Sequence, residues 1–382
     1  MNCIVIKDPR TLTETESAIS EICANPGIPL QLPKDSFGAR RGAMHDAARL
    51  QMLVTWARHS ENSYLHFHKE NEVAKVLEEL CGYSVGIAAI RLSKGITVGD
   101  IKVSRREAIA PAAERMHATD NEEFSRIIKG RVIDMICVSG SSMQYLKPLF
   151  SADGTVKDKS EMPRLMRKLS NVVNTYDKDL VPDSLVKACG IFASELFTNT
   201  QQHALSDWQG KPLTAHVEGM FVSWDQIDER LYASDFQGHD RLKAFWDRDL
   251  STSGAQITNT NPRCLQISFF DSGPGFASRA QSQRTMSMTL NDERQALIDC
   301  LKKNVTTKKN NSAGQGLPNV LAELRNIGGL IRIRSGRQSI FNAFAPKDDS
   351  VDLFDFQDWG ANSFSCAEGA VISILVPLRK AQ

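Results

Sequence analysis

The chain has 382 residues, of which 24% are charged and 41% hydrophobic, and its formal net charge is +1. This charge balance excludes a general attraction to nucleic acid or to anionic membranes, so neither is predicted as a partner. No apolar run approaches the length of a membrane span, and the first residues lack a basic region followed by an apolar signal core, which predicts a cytoplasmic protein.

Eight cysteines are scattered along the chain without a C-x-x-C pair. Most of them have apolar neighbours, which is typical of buried thiols in a reducing compartment rather than of a disulfide framework or a zinc site. The cysteines therefore also favour the cytoplasm.

The first part of the chain alternates between strand-like and helix-like segments. Residues 3–6, 63–68 and 132–138 predict short or buried strands, and apolar residues at helical spacing predict helices over 36–58 and 70–80. This alternation predicts an α/β domain at the N-terminus.

A polar stretch over residues 151–160 has the turn residues of a linker. Because the chain is longer than one typical domain, we place a boundary here, between an N-terminal sensing or docking domain (1–155) and a second domain (156–382). A helix over 161–173 and a longer helix that begins near Pro182 open the second domain.

Glu195, Asn199 and His203 are spaced at i, i+4 and i+8 on this longer helix, so they share one face. The neighbouring Phe192 and Phe197 are apolar enough to bury the opposite side. A carboxylate, an amide and an imidazole thus point in the same direction, which is the first part of a predicted nucleotide site.

Asp271 directly follows a predicted strand over 265–270 and precedes two glycines. Gly273 and Gly275 allow the backbone to come close to a flat ligand. This segment is the second part of the predicted site, and its aspartate is placed to contact a nucleotide base.

Gly314 and Gly316 precede a predicted helix that begins at Leu317. Backbone N–H groups at the start of a helix, together with the helix dipole, bind phosphate. Gly314, Gly316 and Leu317 are therefore expected to contact phosphate. They complete the predicted site.

The order of the three segments resembles the N, G1 and G2 boxes of the Bergerat-fold ATPases, the superfamily of gyrase, the heat-shock chaperone ATPases, histidine kinases and mismatch-repair ATPases. The spacing E-x-x-x-N-x-x-x-H is most similar to that of the anti-sigma-factor serine kinases. The resemblance extends from about residue 160 onward. It implies an α+β fold, in which a mixed, mostly antiparallel sheet covered by helices forms a C-terminal α/β sandwich after the separate N-terminal domain.

The resemblance also implies a role for each residue. Asn199 ligates the Mg²⁺ that bridges the phosphates of ATP, and Glu195 accepts the proton of the attacking water or hydroxyl. Asp271 accepts a hydrogen bond from the adenine amine and so selects adenine over guanine. His203 either orients the phosphates or simply ends the helix, where a partly charged imidazole suits the dipole.

A basic, polar segment over residues 304–313 lies directly before the glycines and has the composition of a nucleotide lid that closes over phosphates. The lid residues expected to contact phosphate are Thr306, Thr307 and Lys308. A second segment, residues 226–261, is an insertion relative to small members of the family. Its charges predict a contact surface rather than chemistry.

Two histidine patterns are weaker. His45 within a predicted helix resembles the phospho-acceptor of histidine kinases, but the proline of that box is missing, so an ordinary helix histidine is expected. His66 and His68 lie on one face of a predicted strand, yet no third metal ligand accompanies them.

These observations predict an enzyme that binds ATP with Mg²⁺ and hydrolyses it or transfers its γ-phosphate. Closure of the lid would control contact with a protein partner or within a homodimer. Two alternatives stay open, namely a nucleotide-gated interaction module with negligible turnover and a protein kinase that phosphorylates serine or histidine. Glu195 favours turnover, because a carboxylate at this position can activate a water or a hydroxyl.

Overall fold

The structure is a computed structural model that describes residues 3–33, 39–60, 64–139, 147–175, 177–251, 263–303, 315–360 and 363–378. Within these residues, no helix combines the length and the apolar character that crossing a membrane requires.

The strands, in chain order, are β1 (Ile4–Val5), β2 (Leu30–Gln31), β3 (Tyr64–Phe67), β4 (Gly95–Val98), β5 (Ile101–Ser104), β6 (Val132–Ser139), β7 (His216–Gln226), β8 (Arg263–Asp271), β9 (Leu330–Gly336), β10 (Gln338–Ala343), β11 (Gln357–Asp358) and β12 (Ala367–Pro377). The helices are α1 (Leu12–Ala24), α2 (Ala43–His59), α3 (Val73–Cys81), α4 (Ser84–Leu92), α5 (Arg105–Ile109), α6 (Ala113–Asp120), α7 (Phe124–Ile127), α8 (Glu161–Val173), α9 (Asp183–His203), α10 (Glu229–Tyr232), α11 (Asp240–Ser251), α12 (Phe276–Gln281), α13 (Leu290–Lys303) and α14 (Gly316–Ile327).

The first five strands form a mixed sheet in the order β1-β2-β3-β4-β5. β1 to β4 are parallel to one another, and β5 is antiparallel to β4. Parallel strands need crossover connections, which α1, α2 and the pair α3 and α4 provide here. This part of the chain therefore has the alternating α/β character expected from its sequence.

The other seven strands form an antiparallel sheet in the order β11-β10-β9-β12-β8-β7-β6. Its edge strand β6 precedes residue 155 but pairs with β7, so that Ile133 lies opposite Val222. The predicted boundary at residue 155 thus falls between two neighbouring strands of one sheet. The fold does not confirm a division into two domains.

Helices cover both faces of the seven-stranded sheet. Ile267 and Phe269 of β8 pack in one apolar cluster with Phe192 and Phe197 of α9, to which α8 and α14 also contribute. On the other face, Phe270 packs with residues of α2 and α4. Because both faces are covered, β8 is buried along nearly its whole length. The α+β class, with mixed and antiparallel sheets covered by helices, is confirmed.

α2 is buried except for its last two residues. It lies against the seven-stranded sheet, α1 and α4, so its polar side chains need partners from other parts of the chain. Arg49 donates to Asp8 at 2.7 Å, and Gln51 donates to the carbonyl of Arg334 at 3.2 Å. Hydrogen bonds as well as apolar contacts therefore join α2 to the sheet.

The predicted insertion over residues 226–261 contains α10 and α11, and its end lies outside the described residues. Asp235, between these helices, accepts hydrogen bonds from the backbone of Leu12 and Thr13 at 3.0 and 3.2 Å. It thereby satisfies N–H groups that the first turn of α1 leaves unpaired. The insertion thus contacts the N-terminal helices of the same chain, and its use by a partner stays a prediction.

Candidate functional site

α9 carries three of the predicted site residues. Glu195 and Asn199 are half-buried, and His203 is the exposed last residue of the helix. On the opposite side, the rings of Phe192 and Phe197 pack edge-on against the same aromatic ring of β8. This packing fixes the direction in which the side chains of Glu195 and Asn199 point. The two residues lie about one helical turn apart.

Glu195 connects α9 to the start of α14. Its carboxylate accepts hydrogen bonds from the backbone N–H groups of Gly316 at 2.9 Å and Gln315 at 3.3 Å. The ammonium of Lys159 lies 2.5 Å from the same carboxylate. Because the first N–H groups of a helix lack partners within the helix and attract anions, a helix start and a lysine together hold Glu195.

Lys159 is a site residue that the sequence analysis did not identify. It lies just before α8, in the stretch predicted to be a linker, and no motif or spacing marks it. Its side chain is 37% exposed, compared with 14% for Glu195. The ammonium is thus reachable from solvent while it contacts the half-buried carboxylate.

Gly316 allows α14 to begin directly on α9. A Cβ atom at this position would lie 2.7 Å from the Cα atom of Phe192 and 2.8 Å from a carboxylate oxygen of Glu195. Any side chain here would push the two helices apart, so the close approach requires glycine. The next residue, Leu317, has its side chain in the core, so only its backbone remains for a ligand.

Asp271 lies at the end of β8, and the turn after it packs against the end of α9. Its carboxylate accepts a hydrogen bond from the N–H of Gly273 at 2.8 Å. A Cβ atom on Gly273 would lie 2.8 Å from the Cβ atom of Ala204, the residue after α9. Gly275 has a φ of +82°, and a Cβ atom there would lie 2.7 Å from the Ser335 hydroxyl. Both glycines therefore permit close packing of the turn.

A small cavity lies between Asp271 and α9. Leu196, Phe197 and Thr200 of α9 line it together with residues of β8 and β12, and its volume is about 10 Å³. A space of this size holds one water molecule at most. A purine base would fit this cavity only after the surrounding groups move apart.

Glu218 of β7 lies directly opposite Asp271 in the sheet and is fully buried. The side-chain amide of Gln201 on α9 donates to it. Burial and the nearby carboxylate of Asp271 raise the pKa of Glu218 to about 8, and burial also raises the pKa of Asp271. Glu218 is therefore protonated at pH 7, which avoids a second negative charge beside Asp271. Its one sequence signal is a glutamate beside the apolar run that forms the middle of β7.

We expect Glu218→Gln to raise the free energy of unfolding by ~1–3 kcal/mol at pH 7 and to leave it nearly unchanged at pH 4. Glu218 ionises near pH 4.5 in the unfolded chain and near pH 8 in the fold. Between these values the folded state binds one more proton than the unfolded state, so the stability of the wild type falls as the pH rises and levels off above pH 8. Urea unfolding between pH 4 and 9 measures this difference.

The exposed Glu78 on α3 supplies a matched control for this experiment. Glu78→Gln makes the same chemical change without removing a buried acid, so its pH profile should follow that of the wild type. A stability difference between Glu218→Gln and the wild type that is equal at pH 4 and pH 7 would contradict the raised pKa of Glu218.

Asn199 supplies the amide oxygen expected to ligate Mg²⁺. Among the described residues, none forms a hydrogen bond with its side chain. Mg²⁺ prefers oxygen ligands and keeps several waters, so one amide oxygen and the phosphates of a nucleotide suffice. The described part of the chain contains no group of three His, Cys, Asp or Glu side chains that could hold a metal ion. The amide oxygen of Asn199 is a ligand of the kind that Mg²⁺ prefers, and its binding of Mg²⁺ stays a prediction.

Several predicted contact residues lie outside the described part of the chain, namely Thr306, Thr307, Lys308 and Gly314. Their roles in the lid and in phosphate binding stay predictions. His203 is described and exposed, a position that suits both of its predicted roles.

The weaker histidine patterns have structural explanations. His45 is buried, and its Nε2 atom lies 3.0 Å from a carboxylate oxygen of Asp235, as expected for an ordinary helix histidine. His66 is half-buried and His68 is exposed, and neither belongs to a metal-binding group among the residues described.

Comparisons of this chain with protein-family models, with curated proteins and with solved structures gave no match. The resemblance to the Bergerat-fold ATPases accordingly stays a prediction. The arrangement of the site residues is therefore the basis on which a function is inferred.

Proposed function

We propose that this protein binds ATP with Mg²⁺ and hydrolyses it, or transfers its γ-phosphate, where α9, the turn after β8 and the start of α14 meet. Glu195 contacts the start of α14, and Asp271 lies beside the end of α9. The order of these residues along the chain resembles the three boxes of the Bergerat-fold ATPases. The antiparallel sheet with α8, α9 and α14 on one face supports the same fold.

The contact between Glu195 and α14 carries the proposal. The N–H groups of Gln315 and Gly316, together with the ammonium of Lys159, surround an anion, which here is the Glu195 carboxylate. A terminal phosphate is a ligand of the same kind and binds helix starts and lysines well. A phosphate that takes these donors would leave the carboxylate beside it, free to accept a proton from an attacking water or hydroxyl.

The remaining residues would bind the nucleotide. ATP with Mg²⁺ supplies the reactive phosphate, and the amide oxygen of Asn199 would hold the metal ion. Asp271 would accept a hydrogen bond from the exocyclic amine of adenine, because an ionised carboxylate has only acceptors. The protonated Glu218 supports this role, since it adds no negative charge beside Asp271.

The two alternatives differ from this proposal in the fate of the bound nucleotide. After incubation with ATP and Mg²⁺ alone, free phosphate indicates hydrolysis, whereas phosphate bound to protein indicates a kinase. Binding without either product indicates a nucleotide-gated module. In each case we propose a protein partner or a second copy of this chain as the target of the nucleotide-dependent change, and the cytoplasm as its location.

We expect ATP to bind more tightly than GTP, and Asp271→Asn to weaken ATP binding. Guanine presents a carbonyl where adenine has its amine, so it would face the Asp271 carboxylate unfavourably. Loss of a hydrogen bond to a charged group costs ~1.5–3 kcal/mol, which corresponds to ~10- to 100-fold in affinity. Titration calorimetry with both nucleotides in the presence of Mg²⁺ measures these differences.

Asp348 provides the matched control, because it lies in an exposed loop and accepts a hydrogen bond from the backbone of Ser350. Asp348→Asn should leave the affinity for ATP unchanged. Equal binding of ATP and GTP, or an unchanged affinity of Asp271→Asn for ATP, would remove Asp271 from the base site.

A further inference from the structure

A cavity of about 690 Å³ lies between the ends of α1 and α2 and the turn after β8. Its volume is in the range of sites that bind small molecules. Ser272, Gly273 and Pro274 of that turn form part of its wall, whereas Glu195 and Asn199 do not line it. The cavity therefore borders the proposed nucleotide site on the side of the base and not on the side of the phosphates.

Arg58, near the end of α2, is half-buried on the wall of this cavity. Its Nη2 atom donates to the backbone carbonyls of Ala215 at 2.7 Å and Ser272 at 3.0 Å. Among the described residues, no group accepts a hydrogen bond from its Nη1 or Nε atom, and no carboxylate forms an ion pair with it. The guanidinium thus has a positive charge and N–H groups to offer to an anion in the cavity.

The protein compensates the buried charge of Arg58 only in part. The carboxylates of Glu368 and Asp271 act on it from beyond the range of an ion pair, yet burial outweighs them and lowers the pKa of Arg58. An arginine keeps its proton in proteins, so the guanidinium stays positive without a counter-ion in contact. A bound anion would supply that counter-ion.

Arg284 adds a second guanidinium to the wall of the cavity. Its central carbon lies 5.6 Å from the centroid of the Trp208 ring, and both residues line the cavity. Within the part of the chain that the structure describes, its side chain forms neither an ion pair nor a hydrogen bond. Phe364 contributes a second aromatic ring. A flat aromatic ligand with a negative charge fits a lining of this kind.

The other charged groups of the cavity already have partners. Asp207 accepts two hydrogen bonds from backbone N–H groups of its own loop, and a carboxylate oxygen of Glu368 lies 3.3 Å from the Nε2 atom of His59. Arg337 donates to the carboxylate of Glu293 at 2.7 Å. The two arginines without a carboxylate partner therefore decide the charge of a ligand that fits, and this charge is negative.

The turn after β8 connects this cavity to the proposed base site. Asp271 lines the small cavity of about 10 Å³ that has to widen before a purine enters, and the next three residues line the large cavity. α12 also contributes to both, since Phe276 lines the small cavity and Ser278 the large one. The structure thus combines an open large cavity with a narrow base cavity. A ligand that fills the large cavity would stabilise this combination.

We propose that the large cavity binds a small aromatic carboxylate through Arg58 and Arg284, and that the bound carboxylate opposes ATP binding. Its charge supplies the counter-charge that the two arginines lack, and its ring packs on Trp208 and Phe364. The ligand holds the turn after β8 in the position in which the base cavity is narrow. The inhibition rests on the proposed function, whereas the anion site does not.

Titration of the full chain with para-trifluoromethylbenzoate, followed by fluorine NMR without nucleotide, tests the anion site. We expect a Kd of about 1 mM or below, the scale for a fragment of this size. The matched neutral probe is para-trifluoromethylbenzamide, which keeps the ring and loses the charge. It should bind about tenfold more weakly or worse, and an equal Kd for the two probes would overturn the anion site.

Three variants locate the bound probe. Arg58→Gln and Arg284→Gln should each raise the Kd of the carboxylate about fivefold or more. Arg230→Gln is the matched control, because it removes an exposed guanidinium of α10 outside the cavity, and it should leave this Kd unchanged. If Arg58→Gln does not fold, Arg284→Gln decides, since the Arg284 side chain supports no hydrogen bond within the described residues. A folded arginine variant of the cavity that binds the probe as well as Arg230→Gln does would overturn the site.

Calorimetry of ATP with Mg²⁺ at increasing probe concentration tests the inhibition. We expect the Kd for ATP to rise about tenfold and then level off, and ATP to raise the Kd of the probe by the same factor, because coupling between two sites is reciprocal. An unchanged Kd for ATP would overturn the inhibition. A Kd for ATP that keeps rising in proportion to the probe would mean that both enter one site, which would overturn a separate anion site.

Failure of this proposal is distinguishable from failure of the proposed function. If ATP does not bind even without the probe, the proposed function fails and the inhibition fails with it. The fluorine NMR titration contains no nucleotide, so its result still decides on the anion site.

Discussion

Glu195→Gln is expected to lower ATP turnover by ~10²-fold or more while it changes the affinity for ATP by less than a few-fold. An amide cannot accept the proton of the attacking water, and a positioned general base contributes ~10²–10⁴-fold to a rate. The amide oxygen can still accept hydrogen bonds from the start of α14, so the junction with α9 persists. Phosphate release at saturating ATP gives the rate, and calorimetry gives the affinity.

Glu323→Gln is the matched control for Glu195→Gln. Glu323 lies on α14, but its carboxylate accepts a hydrogen bond from the hydroxyl of Ser184 and does not contact the start of the helix. Turnover should therefore not change in this variant. Asn199→Ala should act differently from both, because loss of a metal ligand weakens Mg²⁺-dependent binding of the ground state. Turnover at the wild-type rate in Glu195→Gln would end the enzyme hypothesis and favour the nucleotide-gated module.

The contacts of Glu195 also suggest why Glu195 would accept a proton only when ATP is bound. In the structure, the Glu195 carboxylate already accepts hydrogen bonds from the backbone N–H of Gly316 and from the ammonium of Lys159. Under the proposed function, a phosphate that binds these donors releases the carboxylate next to the atom that water attacks. Proton acceptance would then depend on occupation of the phosphate site, which limits wasteful reactions.

Most of the candidate site lies on elements that the sequence could predict. The i, i+4, i+8 spacing of Glu195, Asn199 and His203 falls on α9, and the apolar run before Asp271 is β8. Local patterns of this kind depend on a few consecutive residues, so they are visible without the fold. The predicted helix after the glycines is likewise present as α14.

Lys159 and Glu218 were not predicted because their roles depend on distant neighbours. Lys159 belongs to a polar stretch in which a lysine is unremarkable, and it reaches Glu195 only because α8 packs on α9. Glu218 is one of several polar residues of β7, and its position opposite Asp271 follows from the register of β7 and β8. Register and helix packing join residues far apart in sequence, and no local pattern records them.

The same limit applies to the fold. The apolar run of β6 predicts a buried strand, but it carries no information on the partner strand, so the pairing of β6 with β7 across residue 155 was not predicted. The spacing of apolar residues predicts α2, whereas Arg49 and Gln51 resemble a solvated face in the sequence. Both are buried because residues from distant segments satisfy them.

The second large effect is expected at Glu16, which joins α1 to the seven-stranded sheet. Its carboxylate accepts two hydrogen bonds of 2.9 Å from the guanidinium of Arg334 and one of 3.2 Å from Arg332. Both arginines lie on β9 and are about 1% exposed. Two positive charges in the core thus share one carboxylate.

We expect Glu16→Gln to lower the free energy of unfolding by ~3–5 kcal/mol at pH 7, because it leaves two buried guanidinium groups without their counter-charge. Urea unfolding measures this loss. Glu21→Gln on the exposed side of α1 is the matched control and should stay within ~0.5 kcal/mol of the wild type. An equal stability of the two variants would contradict the role of Glu16.

The pH dependence gives a second check on the same ion pair. Burial raises the pKa of Glu16, but Arg334 and Arg332 outweigh burial, and the pKa of Glu16 in the fold is lower than in the unfolded chain. The contribution of Glu16 is therefore complete above about pH 4.5 and is lost as the pH falls through its pKa in the fold. The stability difference between wild type and Glu16→Gln should accordingly shrink in acid.

A double-mutant cycle with Arg332 locates the cause of the expected loss. In the wild type, Arg332→Met removes one partner of Glu16, and Arg334 still neutralises the carboxylate through two hydrogen bonds. In Glu16→Gln, the same change removes a buried charge that has lost its counter-ion, so it should restore part of the stability. If Arg332→Met costs the same in both backgrounds, the loss in Glu16→Gln comes from packing and not from uncompensated charge.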